Sequence, residues 1–396
     1  MIVYQYILLG LTYLGLGLGY LPGLRMNRAT IAFVGASGLV GLGSISLKEA
    51  WLAIDAGTII FLLSIMIVNA YLESAGFFQL ALTVLVRYAR SPFGLLITLT
   101  FISGLLSALF LNDTIALIFT PLTLGLTQAL GLNPIPYLLA LAGATNIGSV
   151  ATLSGNPQNI LIASFSDISY LAFAQTLVPV AIAGLLIQLI LPMWLYPEVR
   201  SFKSTLNYPH MGRNRLLKPV LYKSLIITGG LLVAFLLGAP LSESAFVAAG
   251  LLLITRRLKP ERILRAVEWD LLLLFSGLFI LTESVEKLQL IQPFTVMVNS
   301  SFGLLSVTVL LSNLISNVPA VLVLKPLIPQ TNTQGWLLLA AGSTLAGNLT
   351  LLGSVANLIV AEAVAKQGLR LNFWEHLRFG LPLTALTVAI AYYLLR

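Results

Sequence analysis

Cysteine is absent from the 396 residues, which excludes disulfides and thiolate metal sites. Histidine occurs twice, at His210 and His376, too far apart in sequence to suggest a histidine-based metal centre. Charge is also scarce: 9% of the residues are Asp, Glu, Lys or Arg, against about a quarter in soluble proteins. No polar stretch is long enough to fold as a separate aqueous domain, so binding chemistry has to lie within the membrane. The chain carries no HExxH or GxSxG motif and no nucleophile–base pair, which argues against an enzyme. No helix shows the polar stripe that a channel would need. Met1 to Tyr20 lacks the basic n-region and cleavage site of a signal peptide and reads as a retained helix.

What the chain has is apolar length. It is 58% hydrophobic with a mean hydropathy of +0.96, the signature of an all-α polytopic membrane protein. Spanning helices are expected at about 4–20, 29–44 and 57–79, followed by an apolar segment at 92–130 interrupted by a polar tip. A second interrupted segment follows at 136–165, and a helix at about 171–196 closes the first half. A cytoplasmic linker, 201–221, precedes a second series: 222–238, 242–255 and 270–291, a tip-bearing segment at 303–330, an interrupted one at 336–364, and a last helix at 373–395.

The two halves, 1–200 and 222–396, match in order. At an offset of 205, Asn112 falls on Asn317 and Pro121 on Pro326; at 198, Thr152 falls on Thr350, Gly155 on Gly353 and Asn159 on Asn357. If each tip-bearing segment is a re-entrant hairpin, each half crosses about five times, and the odd count makes the repeats inverted. Charge agrees. Arg25 and Arg28 occupy a loop whose partner, 239–243, has no base, whereas the loop of Lys48 is matched by one with Arg256, Arg257, Lys259, Arg262 and Arg265. With the basic side cytoplasmic, 18 of the 22 Lys and Arg face the cytoplasm and both termini are external. This distribution accounts for the net charge of +8 without nucleic acid.

The candidate chemistry sits at the interruptions. Leu111-Asn112-Asp113-Thr114 and Ser316-Asn317-Val318-Pro319 are polar tips at membrane depth, costly unless they face a cavity or bind something. A second hairpin arm is expected to begin near Thr114 or Pro319, with its N-terminus available to an anion and its oxygens to a hard cation such as Na⁺. The interrupted segments carry Ser154-Gly155-Asn156-Pro157-Gln158-Asn159 and Thr350 through Gly353-Ser354-Val355-Ala356-Asn357. Unwound backbone of this kind survives in a membrane only beside protein or a cavity. The expected binding set is therefore Asn112, Asp113, Thr114, Ser154, Gly155, Asn156, Asn159, Ser316, Asn317, Thr350, Gly353, Ser354 and Asn357, with Na⁺ near Asn112, Asp113, Asn156 and Asn317.

These residues carry a resemblance. Asn112-Asp113-Thr114-Ile115-Ala116 through Pro121 resembles the hairpin motif of arsenite permeases, and aligns with the Ser-Asn-Thr signature of divalent anion/sodium symporters and citrate transporters. Ser316-Asn317-Val318 is similar to the second copy of that signature, and Gly155-Asn156-Pro157-Gln158-Asn159 to the element that follows the first hairpin. The resemblance spans essentially the whole chain and implies the ion transporter superfamily: a helical scaffold, a mobile unit with two hairpins, an elevator-like movement and a homodimer in the cell membrane. The first signature here is Leu-Asn-Asp and the second ends in Val318, so the Ser/Thr pattern that holds carboxylates is incomplete.

Asp113 is the asymmetric residue of the pair of tips, able to coordinate Na⁺, carry a coupling proton or simply cap the helix. Glu73 and Glu283 are further candidates for ion coupling, although Glu283 is spaced to pair with Lys287 at i, i+4. Lys325 is placed either to attract an anion or to snorkel to the interface. Trp374 and His376 read as interfacial anchors. The expected function is secondary active transport of a small anion driven by Na⁺ or H⁺, with no cofactor beyond that ion. Arsenite or antimonite efflux and cation/proton antiport are the alternatives.

Overall fold

The computed structural model describes residues 2–21, 23–201, 216–292, 295–366, 368 and 370–396, and these are helical, with no strand among the described residues. Most of the linker 201–221 and His210 lie outside the described residues. The first half contains α1 (Ile2–Leu18), α2 (Arg28–Gly41), α3 (Leu47–Ala53), α4 (Ala56–Ala75), α5 (Phe77–Tyr88), α6 (Pro92–Leu109), α7 (Asn112–Ala129), α8 (Ile135–Ser149), α9 (Pro157–Phe165) and α10 (Tyr170–Leu195). The second contains α11 (Lys218–Leu236), α12 (Leu241–Leu253), α13 (Pro260–Arg265), α14 (Trp269–Lys287), α15 (Thr295–Val298), α16 (Ser301–Ile315), α17 (Asn317–Leu324), α18 (Thr333–Ala346), α19 (Val355–Ala365) and α20 (Phe373–Leu395).

Local chemistry explains most boundaries. Ser91 caps α6 by accepting from the Gly94 N–H, and Pro92 takes the first helical position, where no hydrogen bond is lost. The helix expected to run to residue 79 stops at Ala75. Gly76, at φ 90°, ends α4 in the left-handed conformation that a glycine C-cap adopts, and the chain restarts as the separate helix α5, which ends in Arg87. The short α3 begins with a capping box between Ser46 and Glu49 and leaves Leu47, Trp51 and Leu52 exposed, as suits a helix lying at a membrane surface.

Each tip-bearing segment is a helical hairpin whose outer ends share one place. The Phe93 N–H donates to Ser201 O (3.2 Å) and Asn133 Nδ2 to Glu198 Oε1 (3.1 Å), so the open ends of α6 and α7 both rest on the turn that follows α10. In the second half, the Phe302 ring packs 5.8 Å from that of Tyr392, and Gln334 Nε2 donates to Leu395 O (2.8 Å). That hairpin therefore opens at the C-terminal end of α20. Helices α10 and α20 are antiparallel: Tyr196 donates to Glu375 Oε1 (2.9 Å) at one end, and Gly184 faces Thr387 further along. The two hairpins consequently open at opposite ends of the molecule, and their tips point inward.

Other contacts are reciprocal between the halves. Helix α2 packs on α14, with Asn27 Nδ2 donating to Asp270 Oδ2 (2.9 Å); α4 packs on α12, with Ser242 Oγ donating to Gly57 O (3.1 Å). Helix α7 packs on α19, and α17 on α9. Small residues allow the closest crossings. Gly148 lies so near Gly104 O that a Cβ there would collide with backbone, which draws α6 onto α8.

Candidate functional site

Four helices begin at one buried cleft. Asn112 and Asp113 open α7, Asn317, Val318 and Pro319 open α17, Pro157 and Gln158 open α9, and Val355 opens α19, and all eight residues line the cleft. Arg28, Ser316, Ser354, Leu16, Leu271 and Leu274 complete the wall. The cleft is narrow, with a cavity volume of about 40 Å³. The second arms start at Asn112 and Asn317 rather than at Thr114 or Pro319, because the asparagines already adopt helical backbone. Pro319 still falls in the first turn, where its missing N–H costs nothing.

Asparagines build the floor. The Asn112 N–H donates to Gly155 O (3.0 Å), pinning the first tip to the first broken helix. Asn112 Nδ2 donates to Asn146 Oδ1 (3.3 Å), and Asn146 Nδ2 is shared among Asn348 Oδ1, Ser354 Oγ and Asn357 Oδ1 at 2.9, 3.1 and 3.2 Å. Asn146 thus joins the two halves at their centre. Asn156 caps α9 by accepting from the Asn159 N–H, and Ser354 caps α19 by accepting from the Asn357 N–H. Asn159 Nδ2 donates to Ser149 O (3.1 Å) and Thr152 O (2.9 Å); Asn357 Nδ2 donates to Gly347 O (2.8 Å) and Thr350 O (3.0 Å). The carbonyls freed where each helix unwinds are therefore satisfied by the same residue type at the same offset of 198.

Two amide oxygens in the cleft lining remain unused, as does Asn159 Oδ1 in a supporting loop. Asn112 Oδ1 and Asn317 Oδ1 are buried and accept no hydrogen bond, an expensive condition unless a cation or a donor group meets them. Of the residues expected at the site, Asn112, Asp113, Ser316, Asn317 and Ser354 line the cleft, whereas Gly155, Asn156, Asn159, Thr350, Gly353 and Asn357 form its supporting loops. Ser154 faces away, with its hydroxyl 3.1 Å from Tyr170 Oη. Thr114 is half-buried and does not line the cleft, nor do Glu73 and Glu283.

Two side chains, His376 and Lys287, differ from expectation. His376 is 2% exposed, not interfacial. Its Nε2 lies 3.1 Å from Asn348 O, beneath the second broken helix, whereas Trp374 is 71% exposed, as an anchor would be. Lys287 pairs with Glu49 at 2.7 Å instead of with Glu283, because α3 lies against the end of α14. Lys325 stacks over the Phe165 ring, 3.7 Å from its centroid. Arg28 and Gln158 in the wall, and Asn146, Asn348 and His376 beneath it, are the residues that sequence reasoning left out of the site. Gln158, Asn146 and Asn348 stood inside the interrupted segments; Arg28 was visible only as a loop charge.

The fold is that of a polytopic helical membrane protein, and its family and relatives make it a transporter rather than an enzyme. The chain belongs to the citrate transporter family, whose model matches residues 18–346. It is 31% identical to the silicon efflux transporter LSI3 of Oryza sativa subsp. japonica, over 93% of this chain and 92% of that one. It is also 25% identical to the putative transporter arsB of Dictyostelium discoideum, over 93% and 87%. Among solved structures, MtrF of Neisseria gonorrhoeae, described as illuminating a class of antimetabolite efflux pumps, superimposes with a TM-score of 0.63 at 15% identity, over 99% of this chain and 94% of that one. At that identity the likeness concerns the fold.

Proposed function

We propose that this transporter carries a small anionic solute across the cell membrane as a secondary active carrier coupled to Na⁺ or H⁺. The observation that carries the reading is the start of four helices at one cleft. Helix N-termini present free N–H groups and positive dipole ends, a ready site for negative charge. The unused oxygens of Asn112 and Asn317, together with Asp113, are hard donors of the kind Na⁺ takes. A proton on Asp113 is the other available coupling device.

We read the halves 1–200 and 222–396 as inverted repeats, each with about five spanning helices and one re-entrant hairpin. The antiparallel pairing of α10 with α20 supports this, as do the hairpin ends at opposite faces. With the basic end cytoplasmic, both termini are external. Hairpins approaching from opposite sides suit an elevator-like exchange of access, with a homodimer as the fixed frame.

A second reading, efflux of arsenite or antimonite or a cation/proton exchange, is favoured by the carboxylate of Asp113 in the cleft and by the names of the silicon efflux and arsB relatives. The test is solute flux in proteoliposomes. Asn112→Ala and Asn317→Ala should each reduce flux to background in folded protein; wild-type flux in either removes the tips from the site. Asp113→Asn should change the Na⁺ or pH dependence of flux, and an unchanged dependence makes Asp113 a structural cap.

A further inference from the structure

Arg28 opens α2 and reaches into the cleft from outside the hairpins. Its Nε donates to Leu16 O (3.1 Å) at the end of α1, and its Nη2 to Leu352 O (3.4 Å) in the turn between α18 and α19. Its Nη1 is covered and has no hydrogen-bond partner. Such a guanidinium is held in orientation by two carbonyls while one buried donor stays unused, at a cost that a bound acceptor would remove.

Of the residues lining the cleft, Arg28 and Asp113 are the two with ionisable side chains. Arg28 and Asp113 form no ion pair within 4.0 Å; among the described residues the ion pair is Lys287 with Glu49. A cation and a carboxylate therefore stand on one cleft wall without touching, with oxygen acceptors of both tips beside them.

We propose that Arg28 is a specificity-determining residue of the transport site. Its free Nη1 donates to the solute, and its charge, counterpoised by Asp113, decides which solute charge the cleft accepts. This rests on the reading of the cleft as the transport site. Lysine would keep the charge but lose the fixed fork that leaves Nη1 free while Nε and Nη2 are occupied.

The absence of cysteine makes the test direct. Arg28→Cys places a single thiol in the otherwise native chain, reconstituted in nanodiscs and labelled with cationic or anionic methanethiosulfonate reagents. At alkaline pH, where the Asp113 carboxyl is ionised, the cationic reagent should, relative to free cysteine, react at least about tenfold faster than the anionic one, because that charge has lost its counterpart. Adding Asp113→Asn should bring the two rates within about twofold. No reaction with either reagent, or a rate ratio indifferent to Asp113→Asn, overturns the proposal.

Thermal stabilisation by phosphate, citrate and arsenous acid supplies the selectivity arm. Arg28→Gln should move relative affinity away from the charged solutes by at least about tenfold, with Arg28→Lys recovering part of the loss; an unchanged order overturns the proposal. Flux through Asn112→Ala and Asn317→Ala separates the two ideas. If both still transport, the cleft is not the site. If both are dead while the Arg28 variants keep the wild-type order, this proposal alone fails.

Discussion

The two halves meet at one cleft with the same parts, differently set. In the first half the tip is pinned: the Asn112 N–H bonds Gly155 O, and Leu111 before it has relaxed backbone. In the second half Ser316 holds φ 82°, ψ 159°, a region that side chains other than glycine rarely adopt. The offset of 203 that relates Pro179 to Pro382 sets the buried, apolar Phe173 of the first half against His376 of the second, which lies against Asn348 O. The first tip carries Asp113 where the second carries Val318. Repetition supplies the frame, and the differences divide the work: charge and a fixed tip on one side, strain and a polar floor on the other.

The helix crossings separate the halves most sharply. Gly148→Ala forces a Cβ into the backbone of Gly104 and should eliminate folded protein, since neither backbone can yield. Gly342→Ala, in the corresponding helix pair of the second half, meets side-chain atoms of Leu305 and Thr308 at 2.9 and 3.1 Å. It should lower the melting temperature by only a few degrees, a cost of about 1–2 kcal/mol. Size-exclusion profiles and thermal melts read both, and equal losses would mean that the two crossings are equally tight.

Asn159 and Asn357 test the symmetry itself. Replacing either with Leu leaves two buried carbonyls without a donor and should cost about 2–4 kcal/mol. Similar losses in denaturant melts support equivalent roles; a gap above about 2 kcal/mol breaks the equivalence. Ser316→Gly should act the other way, stabilising by about 1 kcal/mol by releasing the unfavourable φ. A loss of stability instead would show that the hydroxyl of Ser316 is needed at the tip.

The smallest effect lies outside the comparison of tips, at the surface. The Lys287 ammonium, more than the hydrogen bonds from Ser46, holds the Glu49 carboxyl down at about 2. A depressed carboxylate stabilises the folded state above its ordinary value of 4.5 and loses that contribution as pH falls toward 2. Lys287→Ala should move the titration of Glu49 back toward that ordinary value, read by NMR, with melting above pH 6 nearly unchanged because the pair is exposed.

Much of the candidate cleft was legible before any tertiary contact. Asn112 and Asn317 stood out because amides at membrane depth are costly, and Asn159 with Asn357 because they recur at one offset. The loops that support the cleft were legible for the same reason, since glycine and proline unwind a helix wherever they fall. Boundaries failed where a single residue decided: Gly76 at φ 90° cut a helix that hydropathy alone would have extended. Lys287 was misjudged because Glu283, four residues away, suggested a partner that the fold did not supply, and His376 because the polar residues around it suggested an interface.

By itself, then, the sequence determined the membrane class, the order of helices and breaks, and the paired asparagine tips. These depend on composition and spacing, which act locally. Only the tertiary structure decided that four helices start at one cleft, that Asn146 ties the halves together, and that Arg28 enters beside Asp113. Each of those depends on packing between segments separated by tens to hundreds of residues, and such contacts leave no periodic trace in either segment alone.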